Sequence, residues 1–151
     1  MAAMVHALRP IEILLIEDSP SDALLTRESL KESNVKCHVS VVANGSEAQA
    51  FLLQEQAYNN ATRPDLIIMD LKLPRGEGPE TLRRIKENPR FRHIPVIVLS
   101  SSDAEEDINF AYRHSANCYI TKPVDLERFS EVISVMQKFW CEAVQLPSHD
   151  E

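Results

Sequence analysis

Glycine is scarce in this 151-residue chain, with three in all, and none sits in a G-x-x-x-x-G-K-[S/T] nucleotide loop. Cysteine is as sparse. Cys37, Cys118 and Cys141 have no C-x-x-C spacing, and their odd number disfavours a fully paired secreted framework. Two of them fall in or beside predicted strands, so buried reduced thiols are expected rather than zinc ligands. His6, His38, His93, His114 and His149 form neither an H-E-x-x-H cluster nor a three-ligand zinc spacing. Basic residues are also in deficit, 16 against 23 acids, for a net charge of -7. That balance argues for solubility and against a general nucleic-acid-binding surface, so no direct nucleic-acid binding is expected. No apolar run reaches transmembrane length, and residues 1–8 lack a basic leader with a long hydrophobic segment. A cytoplasmic protein with no membrane insertion is the expectation.

Five short apolar runs alternate with helical patterns. Ile11–Ile16 is almost wholly aliphatic and suits a strand covered on both faces. Cys37–Val42 reads as a more peripheral strand, and 65–69, 95–99 and 117–121 supply three more. Pro20 and Pro79 each suit a helix start, where the missing amide hydrogen costs little. Over 20–31, Leu24 and Leu30 are expected to face the core. The cluster 100–102 with Asp103 is expected to cap a helix running to about His114, and 125–144 to form one long final helix. Strands alternating with helices predict an α/β fold with a mainly parallel sheet. The expected division is a tail over 1–10, one domain over 11–146 including the extended final helix, and a tail over 147–151.

Polar groups follow the apolar runs at telling places. Glu17 and Asp18 follow the first strand, Asp70 the third, Ser100 the fourth, and Lys122 the fifth. Parallel α/β sheets bind ligands beyond the carboxyl ends of their strands, so these side chains can converge without being near in sequence. Three carboxylates suit a hard divalent cation such as Mg²⁺, with Mn²⁺ a possible substitute. Asp18 and Asp70 are the better direct ligands; Glu17 acts directly or through water, and the Lys72 carbonyl can complete the set without adding charge. Asp70 is then a nucleophile for a phosphoryl group, and Lys122 offsets phosphoryl charge. Ser100 can reach a phosphoryl oxygen and draw its loop inward, while Tyr119 on the next strand can change exposure as that loop moves. For each residue alone a plainer role stands beside this one: helix capping for the acids and Ser100, a surface turn for Lys122, core packing for Tyr119.

Taken together, Ile13-Leu14-Leu15-Ile16-Glu17-Asp18, Ile67-Ile68-Met69-Asp70-Leu71-Lys72-Leu73-Pro74, Val98-Leu99-Ser100-Ser101 and Tyr119-Ile120-Thr121-Lys122-Pro123 resemble a two-component response-regulator receiver domain over residues 10–135. The resemblance implies a (βα)5 doubly wound, flavodoxin-like fold. It implies Asp70 as phosphoacceptor, Glu17, Asp18 and Asp70 with the Lys72 carbonyl as metal ligands, and Ser100, Tyr119 and Lys122 as the switch and phosphate-contacting residues. Glu17 stands where an aspartate is often found. Pro20-Ser21-Asp22, Asn44-Gly45-Ser46-Glu47-Ala48 and Phe139-Trp140 further resemble the small regulators paired with cyanobacterial phytochromes. A phytochrome-type sensor histidine kinase as phosphate donor, and a homodimer, are implied by that likeness.

For the dimer, apolar residues beyond those needed to close the domain are Ile108, Phe110, Tyr112, Phe139 and Trp140. With no helix-turn-helix or other effector segment in the chain, direct transcriptional control is not expected. Self-phosphorylation from small donors and autodephosphorylation belong to signalling, not to a dedicated metabolic enzyme. The rival reading is a non-phosphorylated protein-interaction module on the same scaffold.

Overall fold

The computed structural model describes residues 9–32 and 35–149. Most of the expected N-terminal tail and the last two residues lie outside that range. Five parallel strands form one sheet: β1 (Ile11–Ile16), β2 (Cys37–Val42), β3 (Leu66–Met69), β4 (Val96–Ser100) and β5 (Cys118–Thr121), in the order β2-β1-β3-β4-β5. The helices between them are α1 (Pro20–Lys31), α2 (Gly45–Leu53), α3 (Glu77–Glu87), α4 (Glu105–Arg113) and α5 (Leu126–Gln137). This is the doubly wound receiver architecture, and it follows from the strand sequences.

Successive side chains in a strand point to opposite faces, so an all-aliphatic strand must be covered twice. Leu14 and Ile16 of β1 pack with Ala48, Phe51, Leu82, Ile85 and Ala111 from α2, α3 and α4. Ile13 and Leu15 pack on the other face with Ala23, Leu30, Phe129 and Ile133 from α1 and α5. Each such fully buried aliphatic side chain contributes roughly 1.5–3 kcal/mol of transfer free energy. The strand order turns at β1, whose neighbours are β2 on one side and β3 on the other. The crevice at this switch point opens at the carboxyl ends of β1 and β3, where Asp18 and Asp70 stand.

Four expectations are corrected. Leu24 is 60% exposed, and α1 instead buries Ala23, Thr26, Ser29 and Leu30. The buried hydroxyls are satisfied, Thr26 Oγ1 donating to the Asp22 carbonyl one turn back and Ser29 Oγ bonding Ser130 Oγ across the contact with α5, so a polar stripe can serve as core. Helix α3 starts at Glu77, ahead of Pro79. Neither Ser100, Ser101 nor Asp103 caps α4: Ala104 occupies that position, and Ser102 Oγ accepts from its amide at 3.2 Å. The final helix is α-helical only to Gln137 and continues as a π-helical turn over Lys138–Ala143.

Candidate functional site

Local structure delivers each acid to the crevice. After β1, Ser19 Oγ accepts from the Asp22 amide at 3.3 Å and caps α1, while Pro20 occupies its first turn. The Ser19 amide donates to Glu17 Oε2 at 3.1 Å, which turns Glu17 inward and leaves Asp18 exposed. After β3, the Lys72 amide donates to Asp70 Oδ1 at 2.9 Å. The loop that follows is pressed against the start of α3, where a Cβ on Gly78 would lie 1.8 Å from the Leu71 carbonyl oxygen. Only glycine permits that approach. After β5, the Lys122 amide donates to the Ser100 carbonyl at 2.7 Å, extending the β4–β5 ladder and aiming Lys122 back across the sheet ends.

There Lys122 Nζ donates to Glu17 Oε1 at 2.7 Å, Asp70 Oδ2 at 2.8 Å and Asp22 Oδ2 at 2.9 Å. The Lys122, Glu17 and Asp70 side chains are each less than a tenth exposed, whereas Asp22 is 40% exposed. One ammonium therefore serves three carboxylates, with Asp18 a fourth close by. Burial pushes Glu17 above the usual carboxylate range despite its bond to Lys122. Burial works against the Lys122 ammonium too, but the bonds to Asp22, Asp70 and Glu17 outweigh it and hold the amine protonated well above its ordinary value. Ligand oxygens of Glu17, Asp18 and Asp70 all lie within 4.8 Å of one another. An oxygen-only donor set with more negative charge than one lysine neutralises fits a hard divalent cation. It is a cluster suited to metal-dependent phosphorylation of an aspartate.

Other predicted residues are spread around this centre. Ser100 is fully buried at the end of β4, its Oγ accepting from the Ser102 amide at 3.3 Å. Tyr119 is half-buried, and its hydroxyl donates to the Ser102 carbonyl at 2.8 Å, so both hydroxyl residues hold the same loop. The Lys72 side chain turns away and pairs with Asp107 at 3.3 Å. Of the apolar residues singled out for a dimer, Tyr112 and Phe139 are exposed. Ile108, Phe110 and Trp140 are half-buried, Phe110 stacking on His114 at 4.0 Å. Two participants escaped the sequence reading of the site. Asp22 joins it through the first turn of α1, and the only sequence signal was a third acid four residues after Asp18. Asp107 ties Lys72 to Ser102, a link that only the folded chain creates. Among the described residues no helix is long and apolar enough to cross a membrane.

Comparisons with known proteins agree with this geometry. Residues 13–134 match the response regulator receiver domain. Response regulator Rcp1 of Synechocystis sp. is 41% identical over 139 residues, covering 92% of this chain and 95% of that one. The crystal structure of the phosphorylated cyanobacterial phytochrome response regulator RcpA superposes with a TM-score of 0.89 at 43% identity, over 93% of this chain and 100% of that one. The Mn²⁺-bound form of Rcp1 gives 0.88 at 41% identity, over 92% and 100%. A sheet order, an acid cluster and a sequence match thus lead to one assignment: the chain belongs to the response regulator receiver family.

Proposed function

We propose that this chain accepts a phosphoryl group on Asp70, with Mg²⁺, in a relay fed by a phytochrome-type sensor histidine kinase. The observation that carries the reading is the buried Asp70 carboxylate sharing a single ammonium, Lys122, with Glu17 and Asp22. A group so short of positive charge gains from a ligand that adds it. Glu17, Asp18 and Asp70, with the Lys72 carbonyl, would hold the cation, which when bound neutralises carboxylate and phosphoryl oxygens. Mn²⁺ satisfies the same oxygen donors, in keeping with the Mn²⁺-bound relative.

The chain's own groups do the rest. An Asp70 oxygen attacks phosphorus in line, the bond from phosphorus to the donor breaks, and the donor leaves with the electron pair. Lys122 turns an N–H from a carboxylate to a phosphoryl oxygen and offsets its charge. The Ser100 hydroxyl donates to another phosphoryl oxygen, which draws the loop through Ser102 inward and strains the Tyr119–Ser102 bond. Tyr119 then changes its packing, and the exposed Tyr112 and Phe139 join two copies along α4 and the π-helical turn after α5. The cyanobacterial phytochrome regulator among its relatives supports the choice of sensor.

The test is transfer to the purified chain, with Mg²⁺, from a phytochrome histidine kinase, alongside Asp70→Asn. The wild type is labelled and the variant is not. Equal labelling of both moves the acceptor elsewhere, and labelling of neither leaves a protein-interaction module as the function. Size measurements before and after labelling are expected to show association that Phe139→Ser weakens.

A further inference from the structure

We propose that Cys37 and Cys141 form a peroxide-reactive dithiol that closes to an intramolecular disulfide. This site lies at the amino end of the sheet, away from Asp70, and is independent of the phosphoacceptor reading. Cys37 opens β2, and Cys141 sits in the π-helical turn after α5. Both side chains pack against the same core cluster, and each thiol perturbs the other's ionisation, although strands β3 to β5 lie between them in sequence. The contact is built, not casual. Gln137, about one turn before Cys141, donates from Nε2 to Cys37 Sγ at 3.1 Å and to the Leu30 carbonyl at 2.9 Å. That amide belongs to a fully buried residue and cannot swing away without losing both bonds.

Two groups, the Cys141 thiol and the Gln137 amide, therefore act on one sulfur. Together they favour the Cys37 thiolate over burial, which opposes it, and bring its pKa below the ordinary thiol value. The same pairing, with burial, pushes Cys141 up and keeps its proton on. Cys118 has no such partner; burial raises it, and only Trp140 works against that. The three cysteines are partly exposed alike, so access does not distinguish them and charge does.

With a small hydroperoxide as oxidant the chemistry closes. The Cys37 thiolate attacks the terminal peroxide oxygen, the O–O bond breaks, and hydroxide leaves to take up a proton as water. Cys37 is now a sulfenic acid. Cys141 loses its proton and attacks that sulfur, the S–O bond breaks, and a second water departs. Two thiols are oxidised by two electrons, and one hydrogen peroxide is reduced to two waters. The bond ties the turn bearing Phe139 and Trp140 to edge strand β2.

The experiment uses the full chain, hydrogen peroxide, then N-ethylmaleimide and mass analysis of intact protein and tryptic peptides. Wild type and Cys118→Ser are expected to lose two maleimide sites together and yield a peptide linking Cys37 to Cys141. Cys141→Ser stops at a sulfenic acid trapped by dimedone, and Cys37→Ser gives neither product. Without any substitution, iodoacetamide at neutral pH alkylates Cys37 roughly tenfold faster than Cys118. Links involving Cys118 in equal yield, or equal alkylation rates with all thiols surviving peroxide, would overturn the proposal.

Discussion

Asp65 and Asp70 stand at opposite ends of β3, both buried, in opposite electrostatic company. Asp65 has a cation to itself. Arg9 donates to its two oxygens at 3.1 and 3.3 Å, the Glu12 amide adds a bond at 2.9 Å, and His149 Nε2 lies 3.3 Å away. Asp70 shares Lys122 with Glu17 and Asp22 and has one backbone donor of its own. Burial is thus no mark of a working carboxylate. The mark is how much positive charge each acid is left with: full compensation makes Asp65 a staple, and a shortfall makes Asp70 receptive to a cation and a phosphoryl group.

The largest expected effect breaks the shared end. Lys122→Ala should lower phosphorylation from a small phosphoryl donor by roughly 100-fold, the scale for removing one positioned charge donor at a reacting centre. Radiolabel incorporation with Mg²⁺ measures it, and a change within a few-fold would deny Lys122 its role.

The next effect compares the two aspartates directly. Asp65→Asn should cost about 2 kcal/mol, because it strips a dedicated pair from a buried site. Asp70→Asn should instead stabilise by about 1 kcal/mol in metal-free buffer, because it relieves crowded like charges, and should abolish labelling. Urea midpoints moving the same way in both variants would erase the distinction. Added Mg²⁺ should raise the midpoint of wild type and Asp65→Asn alike, and of Asp70→Asn much less.

Much of this was readable from the chain. The aliphatic runs of β1, β3 and β4 announce strands covered twice, and the polar residue after each run announces a site at the carboxyl ends. What was hidden is tertiary. Asp22 sits in a helix and meets Lys122 only because Ser19 caps that helix beside the end of β5. Leu24 reads as core because hydrophobicity outranks hydroxyls in a helical pattern, whereas Thr26 bonds a carbonyl one turn back and Ser29 a hydroxyl on α5, and both are buried in its place. The change from α to π after Gln137 carries no compositional signal. That turn packs Trp140 and Cys141 against the same core cluster as Cys37 and Cys118, contacts that only the folded chain creates.

The smallest effect extends the comparison to two lysines, each donating to three oxygens. Those of Lys122 are carboxylate oxygens, and those of Lys86 are the neutral Arg92 and Ile94 carbonyls, at 3.1 and 2.8 Å, and Asn117 Oδ1 at 3.2 Å. Their pKa values shift in opposite directions: that of Lys122 is raised, while burial pushes that of Lys86 down to about 8 from 10.5. Below the lower value both folded and unfolded chains carry the Lys86 proton, and burial of the charge weighs fully on the fold. Between the two values only the unfolded chain keeps it, so this contribution to stability rises with pH and levels off above the upper one. Lys86→Met has no such titration. Wild type should therefore gain on the order of 1 kcal/mol relative to Lys86→Met between about pH 7 and about pH 10, after allowing for solvent screening of a partly exposed group. Urea unfolding of both proteins across that range measures the difference. Parallel curves would mean that neutral dipoles hold an ammonium as firmly as three carboxylates do, and the contrast between the two ends of the sheet would lose its electrostatic basis.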